Sequence, residues 1–312
     1  MRTNKLTLNI QFFSKHCFIF LSFAIMVHLP HDALGKLRNF ETTRIKSTAG
    51  TGVGSILLDE ATLLNPASMG FYTVSSVFFQ TGGGQITPAE SGVSYNGIEP
   101  EATAFIASDA SRGTGGSLSY TKQNYDYDSR NVFSASLATP VTKTSTLGIT
   151  YRNSTDLISS TDDGLNIVEE NYSQIIFGFI HALSPNFSIG LVAIDPFQER
   201  PEDTRAILGM QYVYKSLSIM FDIGANYNED LTDSPLYRAA TQIQVMNDFY
   251  IRFGVFKDEG LKESGNGVGA GWAGPKLVLD LALKTTRVDH SSLLIKDGES
   301  IKETSFSLSY KF

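Results

Sequence analysis

The last eight residues, "SFSLSYKF", sort their side chains into two rows. Phe306, Leu308, Tyr310 and Phe312 point one way, and Ser305, Ser307, Ser309 and Lys311 the other, because successive side chains of an extended strand leave opposite faces. A whole face of large apolar side chains, at a place where soluble chains are normally frayed and solvated, asks for an apolar medium. The pattern recurs upstream. Leu277, Leu279, Leu281 and Leu283 oppose Asp280 and Lys284, and Leu217, Ile219, Phe221 and Ile223 oppose Ser218 and Asp222. Phe249, Ile251, Phe253 and Val255 oppose Arg252, and Ala239, Ile243 and Val245 oppose Arg238, Gln242 and Gln244. No segment after residue 35 carries the about 18 uninterrupted apolar residues that mark a spanning helix. Such a chain meets lipid with strands.

The connections alternate as well. Tight links at Ser184-Pro185-Asn186, Met246-Asn247-Asp248 and Ala273-Gly274-Pro275 are interleaved with longer polar segments at 153–171, 195–203, 226–235, 258–266 and 286–303. Short turns at one end and long loops at the other are expected of transmembrane barrels. Counting back from Phe312 gives about fourteen strands, the first over 71–80 and the last over 303–312. The expected fold is all-β: a transmembrane antiparallel β-barrel of about 14 strands, carrying a short N-terminal helical plug. A soluble sandwich also alternates, but about fourteen strands in one sheet system would be unusually large.

Residues 1–35 read as an export signal rather than as part of the fold. Arg2, Lys5 and Lys15 give a basic start, Cys17 to Val27 an apolar run, and Ala33 and Gly35 the small residues of a cleavage site before Lys36. Eleven apolar residues are too few to cross a bilayer, which takes about 20. Removal of this segment takes away the chain's one cysteine and three of its five histidines, which leaves no thiol nucleophile and no disulfide. A net charge of −7, made more acidic by that removal, and the lack of basic clusters argue against nucleic-acid binding. The expected address is the bacterial cell outer membrane. The apolar strand faces meet outer-membrane lipid, and Phe306, Leu308, Tyr310 and Phe312 resemble the insertion signal read by the barrel-assembly machinery.

Between export signal and barrel, residues 36–70 read as a periplasmic or plug segment, with the barrel over 71–312. In "SILLDEATLLNPASMGFY", Ile56 to Leu64 read as a short apolar helix, Asp59 and Glu60 favouring its early turns and Pro66 ending it. A helix of about 10 residues cannot stand alone in water, so it packs in the barrel lumen or at its mouth. The glycines of "AGTGVGS" permit a compact turn ahead of it. They are not a phosphate cradle, since no strand precedes them and no lysine follows at the required spacing.

A Gly-rich lead, an acidic residue and a helix closing in Asn-Pro-Ala directly before the first strand resemble the FadL-type fatty-acid transporters and the related PorV-type barrels of protein-secretion systems. The matching residues are Gly52, Gly54, Asp59, Ala61, Asn65, Pro66 and Ala67. The resemblance implies a fourteen-stranded barrel with its N-terminal segment folded inside as a plug. The sequence departs from the pattern in the Ser-Met after Asn-Pro-Ala and in its shorter length.

Inward-facing charges of both signs are the candidate lumen residues: Arg152, Arg205, Asp222, Arg238, Arg252 and Asp280. Buried charges are expected to pair, either around a solute or between plug and wall. Ile176, Val192, Ile207 and Met220 add apolar surface on the same side. The leading expectation is a plugged channel for small hydrophobic molecules such as fatty acids, with an arginine to meet a carboxylate. The second is a PorV-like scaffold or shuttle that binds exported proteins. An open porin fits poorly with a plug. The Gly-rich stretch Gly265 to Gly274 reads as a weakened wall that could release an apolar solute sideways. No catalytic residue, cofactor or metal site is expected: His290 with Ser291 and Ser292 lies in a polar loop, and a triad needs a third, orienting group.

Overall fold

The computed structural model describes residues 37–88, 99–125, 128–159, 167–230, 232–289 and 298–312. The expected export segment and the His290 loop lie outside them. Fourteen strands follow one another: β1 Ser75–Pro88, β2 Glu101–Asp109, β3 Gly115–Tyr125, β4 Asp128–Pro140, β5 Ser145–Ser159, β6 Ile167–Ser184, β7 Phe187–Ile194, β8 Arg205–Tyr214, β9 Leu217–Ala225, β10 Pro235–Met246, β11 Phe249–Asp258, β12 Glu263–Ala273, β13 Leu277–Val288 and β14 Glu299–Lys311. Each pairs with its sequence neighbour, and β1 pairs antiparallel with β14 to close the barrel. Closure removes every sheet edge, the condition for strands to cross a bilayer without orphaned backbone groups.

The alternation read from the sequence is the alternation of the two barrel faces. On β14, Ser305, Ser307 and Ser309 are buried, whereas Phe306, Leu308 and Tyr310 are 42%, 37% and 41% exposed. Exposed apolar side chains in unbroken rows around a closed barrel are a lipid-facing surface. Its upper limit is visible in the register of β1–β4. Phe79, Phe105, Tyr120 and Phe133 lie side by side as successive cross-strand partners. The next outward row is polar: Thr81, Thr103, Lys122 and Asn131. Aromatic rings flanked by polar side chains mark the edge of the apolar band.

The strands run past that band on the side of the longer connections. β1 reaches Pro88, where the sequence suggested an end at residue 80, and β5 and β6 extend through Ser159 and from Ile167. The 258–266 segment, expected to be a long loop, is reduced to residues 259–262. The sequence does not show these extensions, because their apolar residues, such as Ile86, Leu157, Ile158, Ile167 and Val168, do not alternate with period two. Cross-strand hydrogen bonds hold them instead, among them Thr155 Oγ1 to Asn171 Oδ1 at 2.6 Å and Tyr151 Oη with Ser173 Oγ at 2.8 Å. The opposite end keeps its two-residue turns at 185–186, 215–216 and 247–248.

Residues 37–74 thread the lumen. Leu37 packs with Ile86, Tyr125, Val288 and Ile301 at the long-connection end. Tyr72 and Val74 pack near Met69, Ala110 and Ala138 at the short-turn end. Helix α1, Thr43–Ser47, was not foreseen; Thr42 caps it by accepting from the Ile45 N–H. The helix expected over 55–64 is instead a chain of turns, with the Ala61 and Leu63 N–H groups bonded three residues back to Leu58 and Glu60 at 3.2 and 3.1 Å. Pro66 does not end a helix but opens a 3-10 helix, Pro66–Phe71, with Asn65 as its cap. Proline suits a first helical position because the N–H it lacks would have had no partner there.

Candidate functional site

The lumen is filled by contacts between this N-terminal segment and the inward faces of the strands. The closest of them depend on glycine. A Cβ on Gly148 of β5 or Gly178 of β6 would run into Asn65-Pro66-Ala67, and one on Gly190 of β7 would meet the Val53 carbonyl. Gly209 of β8 brings its wall against Gly54, and Gly254 of β11 and Gly267 of β12 sit against α1 and the turn after it. This explains the Gly-rich β12 differently from the sequence reading. The strand pairs without interruption with β11 and β13, and its inward glycines make room for α1, so no lateral gap opens there.

The matched N-terminal residues form the spine of this packing. Asn65 donates from Nδ2 to the Val53 carbonyl at 2.8 Å while its Oδ1 accepts from the Ala67 N–H at 3.1 Å. Thr146 donates to the Ala67 carbonyl and Ser188 to the Gly54 carbonyl, both at 2.7 Å. Asp59 accepts from Ser76 Oγ at 2.6 Å, and Ala61 is buried beside Leu58 and Met69. Gly52, at φ +141°, adopts a backbone conformation that side chains disfavour. Its N–H donates to Asp222 at 2.9 Å, and that of Val53 to the same carboxylate at 3.2 Å.

The candidate lumen charges form three pairs and leave Arg152 apart. Asp222 and its cross-strand partner Arg238 hold the 50–53 turn, the arginine donating to the Gly50 carbonyl at 2.9 Å. Arg252 pairs with Asp280 at 2.5 Å and gives Nε to Gln242 at 2.7 Å. Arg205 pairs with Asp258 across the long-connection end. Arg152, 8% exposed, reaches only Asn39 Oδ1 among the described residues, at 3.5 Å.

Sequence reasoning missed the other half of the network. Lys284 binds Glu41 at 2.6 Å, Lys46 binds Glu303 at 2.6 Å and Arg38 binds Glu263 at 2.9 Å, each joining plug to wall. Nearer the long connections, Arg130 and Arg200 both bind Asp156 at 2.6 Å. Lys284 lies in phase with Asp280 on the inward face, so the alternation contained its signal; the plug charges have no period to reveal them. On the plug, Glu60 is 3% exposed. Burial pushes its carboxyl above the usual range, and Arg44, 3.8 Å away, offsets this only in part.

Between the charges lies an apolar tract of Val53, Ile176, Val192, Ile207 and Leu236. Ser145 Oγ and His181 Nδ1 are 2.7 Å apart, but both lie on the outer face by the 185–186 turn, and no carboxylate bonds the imidazole among the described residues. No group of three or more His, Cys, Asp or Glu suited to a metal ion occurs among them either.

No family model and no curated protein matches this sequence. Solved structures match the fold. The Ralstonia pickettii toluene transporter TbuX superimposes with a TM-score of 0.64 at 10% identity, over 88% of this chain and 99% of that one. The Pseudomonas putida toluene transporter TodX gives 0.62 at 12%, over 90% and 99%. A Pseudomonas aeruginosa FadL homologue gives 0.59 at 12%, over 89% and 99%. In fold, the chain is a FadL-type transmembrane β-barrel.

Proposed function

We propose that this protein is a channel of the bacterial outer membrane through which small hydrophobic molecules pass, and that it has no enzymatic activity. The observation that carries this reading is the extent of the likeness. Nearly the full length of two toluene transporters is covered, so the resemblance extends beyond a generic barrel. Two features of the lumen support it: an apolar tract beside fixed charges, and an N-terminal plug packed against the inward wall. Outer-membrane lipid would cover the apolar band, and the barrel-assembly machinery would read the row ending in Phe312. The expected result is faster uptake of labelled toluene by cells of a channel-deficient Gram-negative host producing this protein than by the same host without it. Equal uptake at matched outer-membrane levels would refute the reading.

One feature favours a second reading. The plug is tied to the wall at many points, as a sealed PorV-like scaffold for an exported protein would be. Purification from its own outer membrane in mild detergent separates the two, since a scaffold would retain a protein partner and a channel an apolar small molecule.

A further inference from the structure

Toward the short-turn end of the lumen, a chamber of about 190 Å³ lies between the plug and the wall of β8–β12. Arg44, Thr51 and Arg252 contribute polar lining, and Ile56, Leu57 and Met220 apolar lining. Gln211, Gln242 and Tyr250 border it from positions close to the short turns and are only partly buried, so the chamber communicates with that end of the barrel.

Its donors are not used up by the protein. Arg252 is 1% exposed and commits Nε and Nη1 to Gln242 and Asp280, which leaves Nη2 without an acceptor among the described residues. The Arg44 guanidinium donates no hydrogen bond among them. Its nearest carboxylate oxygen, on Glu60, stands 3.8 Å from Nε, beyond hydrogen-bonding distance, and that buried Nε has no partner. Thr51 is 1% exposed and its hydroxyl is likewise unpartnered. Buried polar groups are normally satisfied, and a guanidinium offers a planar fork of five donors that matches a carboxylate. Glu60 neutralises part of the Arg44 charge but makes no hydrogen bond to it, and Asp280 is already engaged by Arg252.

We propose that this chamber binds the carboxylate of a small monocarboxylic acid with a compact apolar body. The head would lie between Arg44, Arg252 and the Thr51 hydroxyl, and the body against Ile56, Leu57 and Met220. A pure hydrocarbon would leave the donors unmade, and an inorganic anion would leave the apolar wall without a partner. The volume, below the roughly 300 Å³ at which drug-sized pockets begin, sets the size at that of a single-ring acid. The proposal rests on the channel reading only in placing the chamber on a solute's route; binding itself requires no transport.

The test is calorimetric titration of the full-length protein, in non-ionic detergent, with benzoate, and in parallel with inorganic phosphate. One benzoate per chain is expected, with affinity lowered at least tenfold by Arg44→Gln and severalfold by Thr51→Val, and no comparable phosphate binding. Both variants should keep the heat-modifiable gel migration of a folded barrel; if Arg44→Gln does not, Thr51→Val carries the test. No benzoate binding, or equal affinity in the folded variants, overturns the proposal, and phosphate binding of similar strength overturns the assignment to an acid with an apolar body. Toluene uptake by cells tells the two readings apart. Uptake without benzoate binding removes the chamber and leaves the channel, whereas binding without uptake does the reverse.

Discussion

The two sides of the lumen wall hold the plug by different physics. Along β5–β8 the contact is close and neutral: against plug backbone at Gly148, Gly190 and Gly209 and against the Asn65 and Pro66 side chains at Gly178, with hydroxyls of Thr146 and Ser188 completing carbonyls. Along β12–β14 ion pairs through Glu263, Lys284 and Glu303 join the close glycine contact of β12 with α1. The first kind sets position, because no rotamer can compensate for a Cβ added where another backbone already lies. The second sets the charge balance of the lumen, and it weakens with salt and with the entry of water. A plug held in both ways should be seated sterically and tuned electrostatically.

The largest effect should therefore come from the neutral side. Gly148→Leu places a side chain through Pro66-Ala67, and overpacking typically costs about 1–3 kcal/mol even where side chains can adjust. Here the opposing atoms are backbone, so the plug should unseat. The expected readouts are protease cleavage within residues 37–74 and ion conductance in planar bilayers. Gly116→Leu is the control, since the nearest atom to its Cβ is 3.7 Å away. Should the control conduct as well, barrel damage rather than plug displacement would be the cause.

Next comes the carboxylate that joins the two modes. Asp222→Ala strands the N–H groups of Gly52 and Val53, which donate to it now, and a buried unsatisfied donor costs about 1–3 kcal/mol. The barrel-to-denatured transition on heating in detergent should fall by several degrees. Asp222→Asn keeps an acceptor oxygen and should recover most of the loss. On the ionic side, a double-mutant cycle between Glu41→Gln and Lys284→Met should give a coupling of about 1 kcal/mol. The side chains are 18% and 10% exposed, so that coupling should shrink in high salt. A coupling insensitive to salt would erase the distinction between the two sides.

The barrel was legible in the sequence because its physics has a period. Phe306, Leu308 and Tyr310 face out for the same reason that Ser305, Ser307 and Ser309 face in, and the inward placement of Arg252 and Asp280 follows from their phase. The plug has no such period. Its turns are fixed by partners far along the chain, such as Asp222 for Gly52 and Gly178 for Pro66, and those pairings exist only after closure. A local reading of residues 55–64 accordingly favoured a helix, since apolar residues near an acidic start are what a helix would show. In the lumen the same side chains are satisfied by walls on several sides, and the backbone turns to meet them. Asn-Pro-Ala was recognisable as a motif, but its role as the opening of a 3-10 helix was not.

The smallest predicted effect concerns Glu60, on the plug between the two sides. Burial, opposed in part by Arg44, raises its carboxyl above the usual range in the folded protein. The native state therefore binds this proton more tightly than the unfolded chain does. The stability it contributes is fully present below the unfolded carboxylate pKa and is lost as pH rises through the raised value. Glu60→Gln is neutral at every pH and lacks that decline. Melting the wild type and the variant side by side from acid to mildly alkaline pH should show the variant gaining on the wild type as pH increases, while the other carboxylates cancel in the difference. A variant that instead falls behind at alkaline pH would mean that attraction to Arg44 outweighs burial. The plug would then be held by charge on this flank too, and Arg44 would have less freedom to meet a solute.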